Sequence, residues 1–144
     1  MRSAVLKLEI HCHGVHRRRH PAPTHATGPD NTAAAIEATQ PAMRFEFGML
    51  PGIWLNYVRG QIYLKGKSGS AAAAEFQKIL DHPGVEPLSP FNVLAHLGLA
   101  RASVLNGDTA KARKEYQDFM AMWKDADADL PVIVETNKEY EQVK

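Results

Sequence analysis

At 144 residues the chain is long enough for one domain with a packed core and too short for two. Its 44% hydrophobic and 23% charged residues exclude disorder throughout, and a lone cysteine, Cys12, excludes an intramolecular disulfide. The formal charge of +1 divides unevenly: residues 1–29 hold five basic side chains against Glu9 (+4), and the remainder twelve against fifteen acidic ones (−3), a body too acidic for a nucleic-acid surface.

Residues 1–29 contain five of the seven histidines, the run Arg17-Arg18-Arg19, and Pro21, Pro23 and Pro29, with no apolar period after Ile10. This composition predicts a disordered basic tail. His11, Cys12, His13, His16 and His20 are metal-ligating types, but spacing alone supplies no framework to hold four donors, so no metal site is predicted. Cys12 likewise lacks a scaffold to orient a base, which argues against a nucleophile. The start lacks the apolar core of a signal peptide, and no run approaches the ~18 apolar residues needed to cross a bilayer. A cytoplasmic chain without a membrane segment is expected.

From Asp30 the pattern becomes helical, giving one domain over 30–144. Asp30 or Asn31 is placed to cap AAAIEATQ, which ends near Pro41, and MRFEFGMLPG follows as a loop able to pack aromatics on its neighbours. In WLNYVRGQIYLKG, Leu55, Val58, Ile62 and Tyr63 fall at helical spacing, and Gly66 ends the run. Ser68 or Ser70 then caps AAAAEFQKILDH, which stops at His82-Pro83-Gly84. Ser89 before Pro90 is a cap with proline at the first helical position, opening FNVLAHLGLARASVLN, which Gly107 ends.

Asp108 caps TAKARKEYQDFMAMW, whose Ala112, Tyr116, Phe119 and Trp123 share one face. Asp129 caps a last helix over about 129–143, with Leu130, Ile133, Val134, Tyr140 and Val143 as its apolar stripe. No segment alternates with period 2, so the fold class is all-α. Trp54, Tyr57 and Trp123 read chiefly as core aromatics.

The two long helix pairs, about 53–82 and 90–124, overlay. Tyr63 matches Ser103, Ala72 matches Ala112 and Phe76 matches Tyr116, each pair 40 residues apart. The small residues Gly60, Ala72, Ala100 and Ala112 let helices approach to about 8–10 Å. Gly60, Tyr63, Ala72 and Phe76 in one unit, and Leu99, Ala100, Ala112 and Tyr116 in the next, resemble the tetratricopeptide-repeat pattern. The match is partial: Asn56 and His96 stand where the pattern has Trp, Arg59 where it has Leu, Ser103 where it has Tyr, and Gly98 falls outside the register. The resemblance implies a superhelical array of hairpins closed by a C-terminal helix.

Over residues 31–144, the strings AAAIEATQPA, YVRGQIYL, AAAAEFQKILDHPG, LAHLGLARA and GDTAKARKEYQDFMAMWKDADADLP resemble the C-terminal repeat region of bacterial serine/threonine protein kinases of eukaryotic type and related signalling proteins. That resemblance implies an interaction or sensing region that binds a protein or peptide partner, needs no cofactor and is not itself an enzyme. The alternative is a regulatory fragment of such a kinase, whose catalytic loops do not occur in this sequence. In the resembled family the first helix of each repeat presents ligand contacts, at positions that fall here on Tyr57, Gln61 and Lys65, and on Leu97 and Arg101.

Three other patterns have simpler readings. Gly66-Lys67-Ser68 ends like a phosphate loop, but Gln61 stands where the first glycine belongs and the preceding segment is helical, so a turn is expected. His96, inside a helix, reads as a packing histidine rather than a ligand. Asp125, Asp127 and Asp129 alternate like a calcium loop, yet Leu130 replaces the glycine such a loop requires.

Overall fold

The computed structural model describes residues 29–48 and 52–144, so the tail predicted over 1–29 lies outside the described residues apart from Pro29. Among the described residues the regular elements are helical: α1 (Pro29–Thr39), a 3-10 turn (Gln40–Phe45), α2 (Trp54–Lys65), α3 (Gly69–Asp81), α4 (Pro90–Leu105), α5 (Thr109–Met122) and α6 (Pro131–Glu141). No strand forms among them; the nearest approach is one isolated bridge between Glu46 and Gly52. None of these helices is long and apolar enough to cross a membrane.

Helix α1 begins two residues earlier than its sequence signals suggest. Pro29 occupies the first turn, where its missing N–H costs nothing, so Asp30 and Asn31 lie within the helix rather than capping it. Pro41 then tightens the chain into the 3-10 turn instead of simply ending it. Of the two aromatics expected to fold inward from this loop, Phe47 does so and stacks on the His82 ring at 4.1 Å. Phe45 stays half-exposed.

Helices α2 and α3 form one hairpin, α4 and α5 a second, and their turns repeat bond for bond. Ser68 N–H donates to the Tyr63 carbonyl at 2.9 Å, and Asp108 N–H to that of Ser103 at 3.0 Å. Lys67 N–H reaches Leu64 as Gly107 N–H reaches Val104, at 3.0 Å in both cases. Each pair of bonds is separated by 40 residues, the offset already seen in the side chains. Lys67 (φ 56°) and Gly107 (φ 77°) both take the left-handed conformation that lets the chain reverse, comfortable for glycine and strained for lysine. The Gly66-Lys67-Ser68 stretch is therefore an inter-helix turn. Asp108 caps α5 through its carboxylate, accepting from Lys111 N–H at 3.0 Å, and Ser89 caps α4. Ser68 holds the cap position of α3 without a side-chain bond, and Ser70 lies inside the helix, so neither serine caps as expected.

Phe76 is the central wedge. It is fully buried between α2 and α4, where a Cβ at Gly60 or Gly98 would come within 2.6 or 2.5 Å of its ring. Gly98, which falls outside the repeat register, is thus as necessary to the packing as Gly60. Burying such a ring contributes roughly 1.5–3 kcal/mol. Ile53, Ala72, Ile79, Ala95, Leu99 and Ala102 complete this first core. A second core gathers Leu97, Ala100, Ala112, Tyr116, Phe119 and Val143, with Trp123 tilted against Phe119 at 5.2 Å. Helix α4 serves both, since α2, α3 and α5 all pack on it.

Two helix faces differ from their sequence patterns. On α2 the buried residues are Leu55, Asn56, Arg59 and Gly60, while Val58, Ile62 and Tyr63 are only partly covered. The polar pair can go inside because α3 presents a carboxylate to meet it. On α6 the start is Pro131, with Leu130 at the cap position and Asp129 outside it, making no cap bond. The inward stripe is Val132, Ile133, Thr136, Tyr140 and Val143; Leu130 and Val134 turn outward. What sets this rotation is the clamp that α6 makes with α4 and α5, described next.

Candidate interaction face and buried polar seats

The five residues singled out from the repeat pattern do not share one open surface. Leu97 is 3% exposed and belongs to the second core, because α4 is enclosed by three neighbouring helices and has little face left to offer. Arg101 is not a free cation. Its guanidinium grips Glu139 of α6 through Nε (2.9 Å) and Nη2 (2.9 Å), with Glu135 at 3.5 Å. Such a fork-to-carboxylate pair is the strong, geometrically specific kind of charge-assisted bond. Burial acts against the charge on Arg101, and the bonds and field of Glu139 outweigh it and raise the pKa.

Tyr57, Gln61 and Arg101 do come together. The Tyr57 ring packs on Phe76 (5.9 Å) and Phe91 (4.8 Å), leaving its hydroxyl bonded to Gln61 and within the field of Arg101. Burial raises the pKa of that hydroxyl, and the Arg101 charge and the Gln61 bond only partly offset the rise. Lys65, at the end of α2, is exposed.

Next to Arg101 opens a groove of about 420 Å³ between α2, α4 and α6, whose walls include Leu64, Val104, Leu105, Tyr116 and Glu139. Val104 and Leu105 are 45% and 44% exposed, an apolar rim beside a paired charge. Four further bonds, from three side chains, hold α6 and the residues after it as the far wall. Tyr116 donates its O–H to Glu139 at 2.9 Å, Arg113 donates twice to the Val143 carbonyl, and Gln117 donates to the Tyr140 hydroxyl. Burial raises the Tyr116 hydroxyl pKa far above the ordinary tyrosine value, and the Glu139 carboxylate adds to the rise. A second groove of about 530 Å³ runs along α1, bordered by Thr32, Ile36, Gln40, Tyr63 and Gly66.

Sequence reasoning missed the two polar seats between the helices of each hairpin. In the first, Glu75 (6% exposed) accepts from Arg59 Nε at 2.9 Å and from Asn56 Nδ2 at 3.2 Å. Asn56 also reaches Glu46, Lys78 bridges Glu46 (3.0 Å) and Glu75 (3.4 Å), and Arg59 donates to the Thr39 hydroxyl. Burial pushes the Glu46 carboxyl up, but the bonds from Asn56 and Lys78 and the charges of Lys78 and Arg59 win, holding it below the usual carboxylate range. In the second seat, His96 Nδ1 lies 2.7 Å from Glu115 Oε2, and Asp118 stands beside them. Asn56 and His96, Glu75 and Glu115, Lys78 and Asp118 are each 40 residues apart, so the seats are equivalent positions with different contents. His96 is therefore a carboxylate partner rather than a packing histidine. The legible signal was that same offset, applied to polar rather than apolar residues.

Asp125, Asp127 and Asp129 fall in the turn between α5 and α6, and among the described residues the metal-ligating types converge at His96, Glu115 and Asp118 instead. No protein-family model, curated protein or solved structure matches the chain.

Proposed function

We propose that this helical domain is a protein-binding module of tetratricopeptide-repeat type, taking a peptide or protein segment in the groove between α2, α4 and α6 and doing no chemistry on it. The observation that carries the reading is that groove: an exposed Val104 and Leu105 rim beside Arg101, set in a hairpin that repeats bond for bond. Repeated hairpins line up their first helices, which makes an extended surface for a chain laid across them. The apolar rim would cover one or two side chains of the ligand. A ligand carboxylate would compete with Glu135, the longer and more exposed of the two Arg101 contacts. The resemblance to repeat regions of bacterial serine/threonine kinases supports a signalling partner, with any catalysis carried by another domain or chain.

The test is a peptide-display selection against the full chain, followed by titration of the selected peptides. Val104→Asp and Leu105→Asp, both on the rim of that groove, should each weaken binding about tenfold or more, or roughly 1.4 kcal/mol. A selection that yields nothing, or peptides indifferent to both substitutions, overturns the reading.

A further inference from the structure

The two polar seats differ in where their positive charge comes from. In the first, two carboxylates (Glu46, Glu75) meet two built-in cations (Arg59, Lys78), and the Lys78 ammonium bridges both acids. In the second, the same offset puts Leu99 at the Arg59 position and Asp118 at the Lys78 position, removing both cations and adding an acid. It also replaces the Asn56 amide with the His96 imidazole. Donor atoms of His96, Glu115 and Asp118 all lie within 4.8 Å of one another. Glu115 is buried, and His96 and Asp118 are partly open to solvent, which leaves an entry path.

We infer that this second seat is a binding site for a divalent transition-metal ion, Zn²⁺ first, held by His96, Glu115 and Asp118 with water completing the set. One imidazole with two carboxylates suits zinc, which accepts nitrogen and oxygen donors in tetrahedral array and often keeps a water when three side chains bind. Calcium and magnesium prefer six or more oxygens and gain little from an imidazole. The backbone favours the arrangement. Glu115 and Asp118 are three apart on α5 and so share one face, and His96 meets them from α4.

Two existing contacts must yield. At about 2.0–2.1 Å from the metal, tetrahedral ligands sit about 3.3 Å apart, so the His96–Glu115 pair opens by roughly half an ångström and loses the proton it shares. Asp118 must leave Lys114, a surface pair one helical turn apart whose lysine is 69% exposed and which therefore holds it weakly. The ion would take the place in the second hairpin that the Lys78 ammonium takes in the first.

The probe is Zn²⁺ added to the full chain stripped of metal, read by thermal unfolding and by the histidine-ring signals in NMR. His11, Cys12, His13, His16 and His20 offer donors of their own, so substitutions decide where the effect originates. Asp118→Lys and His96→Asn transplant first-hairpin residues into the second and should fold. The wild type should melt higher with Zn²⁺ than without it, and the His96 ring should shift at the first equivalent. Each variant should weaken that site about tenfold or more and lose the rise in melting temperature. Absence of a zinc-dependent rise in the wild type, or its persistence in both variants, overturns the inference. Should either variant fail to fold, an unmoved His96 ring in the wild type does so as well.

Discussion

In the first hairpin the space between α2 and α3 is closed by four formal charges that cancel, whereas in the second the equivalent space holds a histidine and two acids. Yet the turns of the two hairpins share their hydrogen bonds, and their wedges, Phe76 and Tyr116, are equally buried. Small residues at helix contacts and a left-handed turn residue define the hairpin, and the polar seat is free to vary within it. A seat with its own cations is a fixed structural joint. One without them is open to an external ion.

The largest test of this contrast is removal of the shared acid. Glu75→Ala strands Arg59, 6% exposed, without its partner, and should cost about 3–5 kcal/mol in denaturant unfolding. Glu115→Ala strands no guanidinium and removes one hydrogen bond from the partly exposed His96, so the loss should be nearer 1 kcal/mol. Equal costs would mean that the two seats are energetically alike.

Next in size is the space around the wedges. Gly60→Ala drives a methyl to 2.6 Å from the Phe76 ring and should cost about 1–3 kcal/mol. Its counterpart Ala100 already carries that methyl beside Tyr116, so Ala100→Gly should cost only about 1 kcal/mol, mostly helix propensity. A stabilising Gly60→Ala would show that Phe76 has room to move.

The smallest effect is in pH. Because the Glu46 carboxyl is held below its ordinary value, its contribution is complete above the unfolded pKa of about 4.3 and is lost as pH falls through the lower folded value. Unfolding free energy should therefore decline more steeply below about pH 4 in the wild type than in Glu46→Gln, by under about 1 kcal/mol, because its partner Lys78 is 38% exposed and solvent screens the pair. At the alkaline end the signs reverse. The raised Lys78 and Tyr116 values give stability that is full below about pH 10 and lost above it, and Tyr116→Phe should remove the second hairpin's share. A Tyr116→Phe profile identical to the wild type above pH 10 would place that loss elsewhere.

Read alone, the sequence determined the helices, their proline and glycine limits, and the 40-residue repeat, because those follow from backbone chemistry acting over a few neighbours. Burial of Ala72, Phe76, Ala112 and Tyr116 followed from the same periodicity. Only the tertiary structure decided which polar residues go inside. Asn56 and Arg59 look like surface positions until Glu75, 16 residues beyond Arg59, is brought opposite them. Arg101 looks like a free cation until α6 arrives with Glu139, 38 residues away. The facing of α6 likewise depends on that clamp and not on its own apolar pattern, which would have buried Leu130 and Val134. A lone charge is costly to bury and a paired one is not, and pairing across helices is a property of the packed chain that no local window of residues contains.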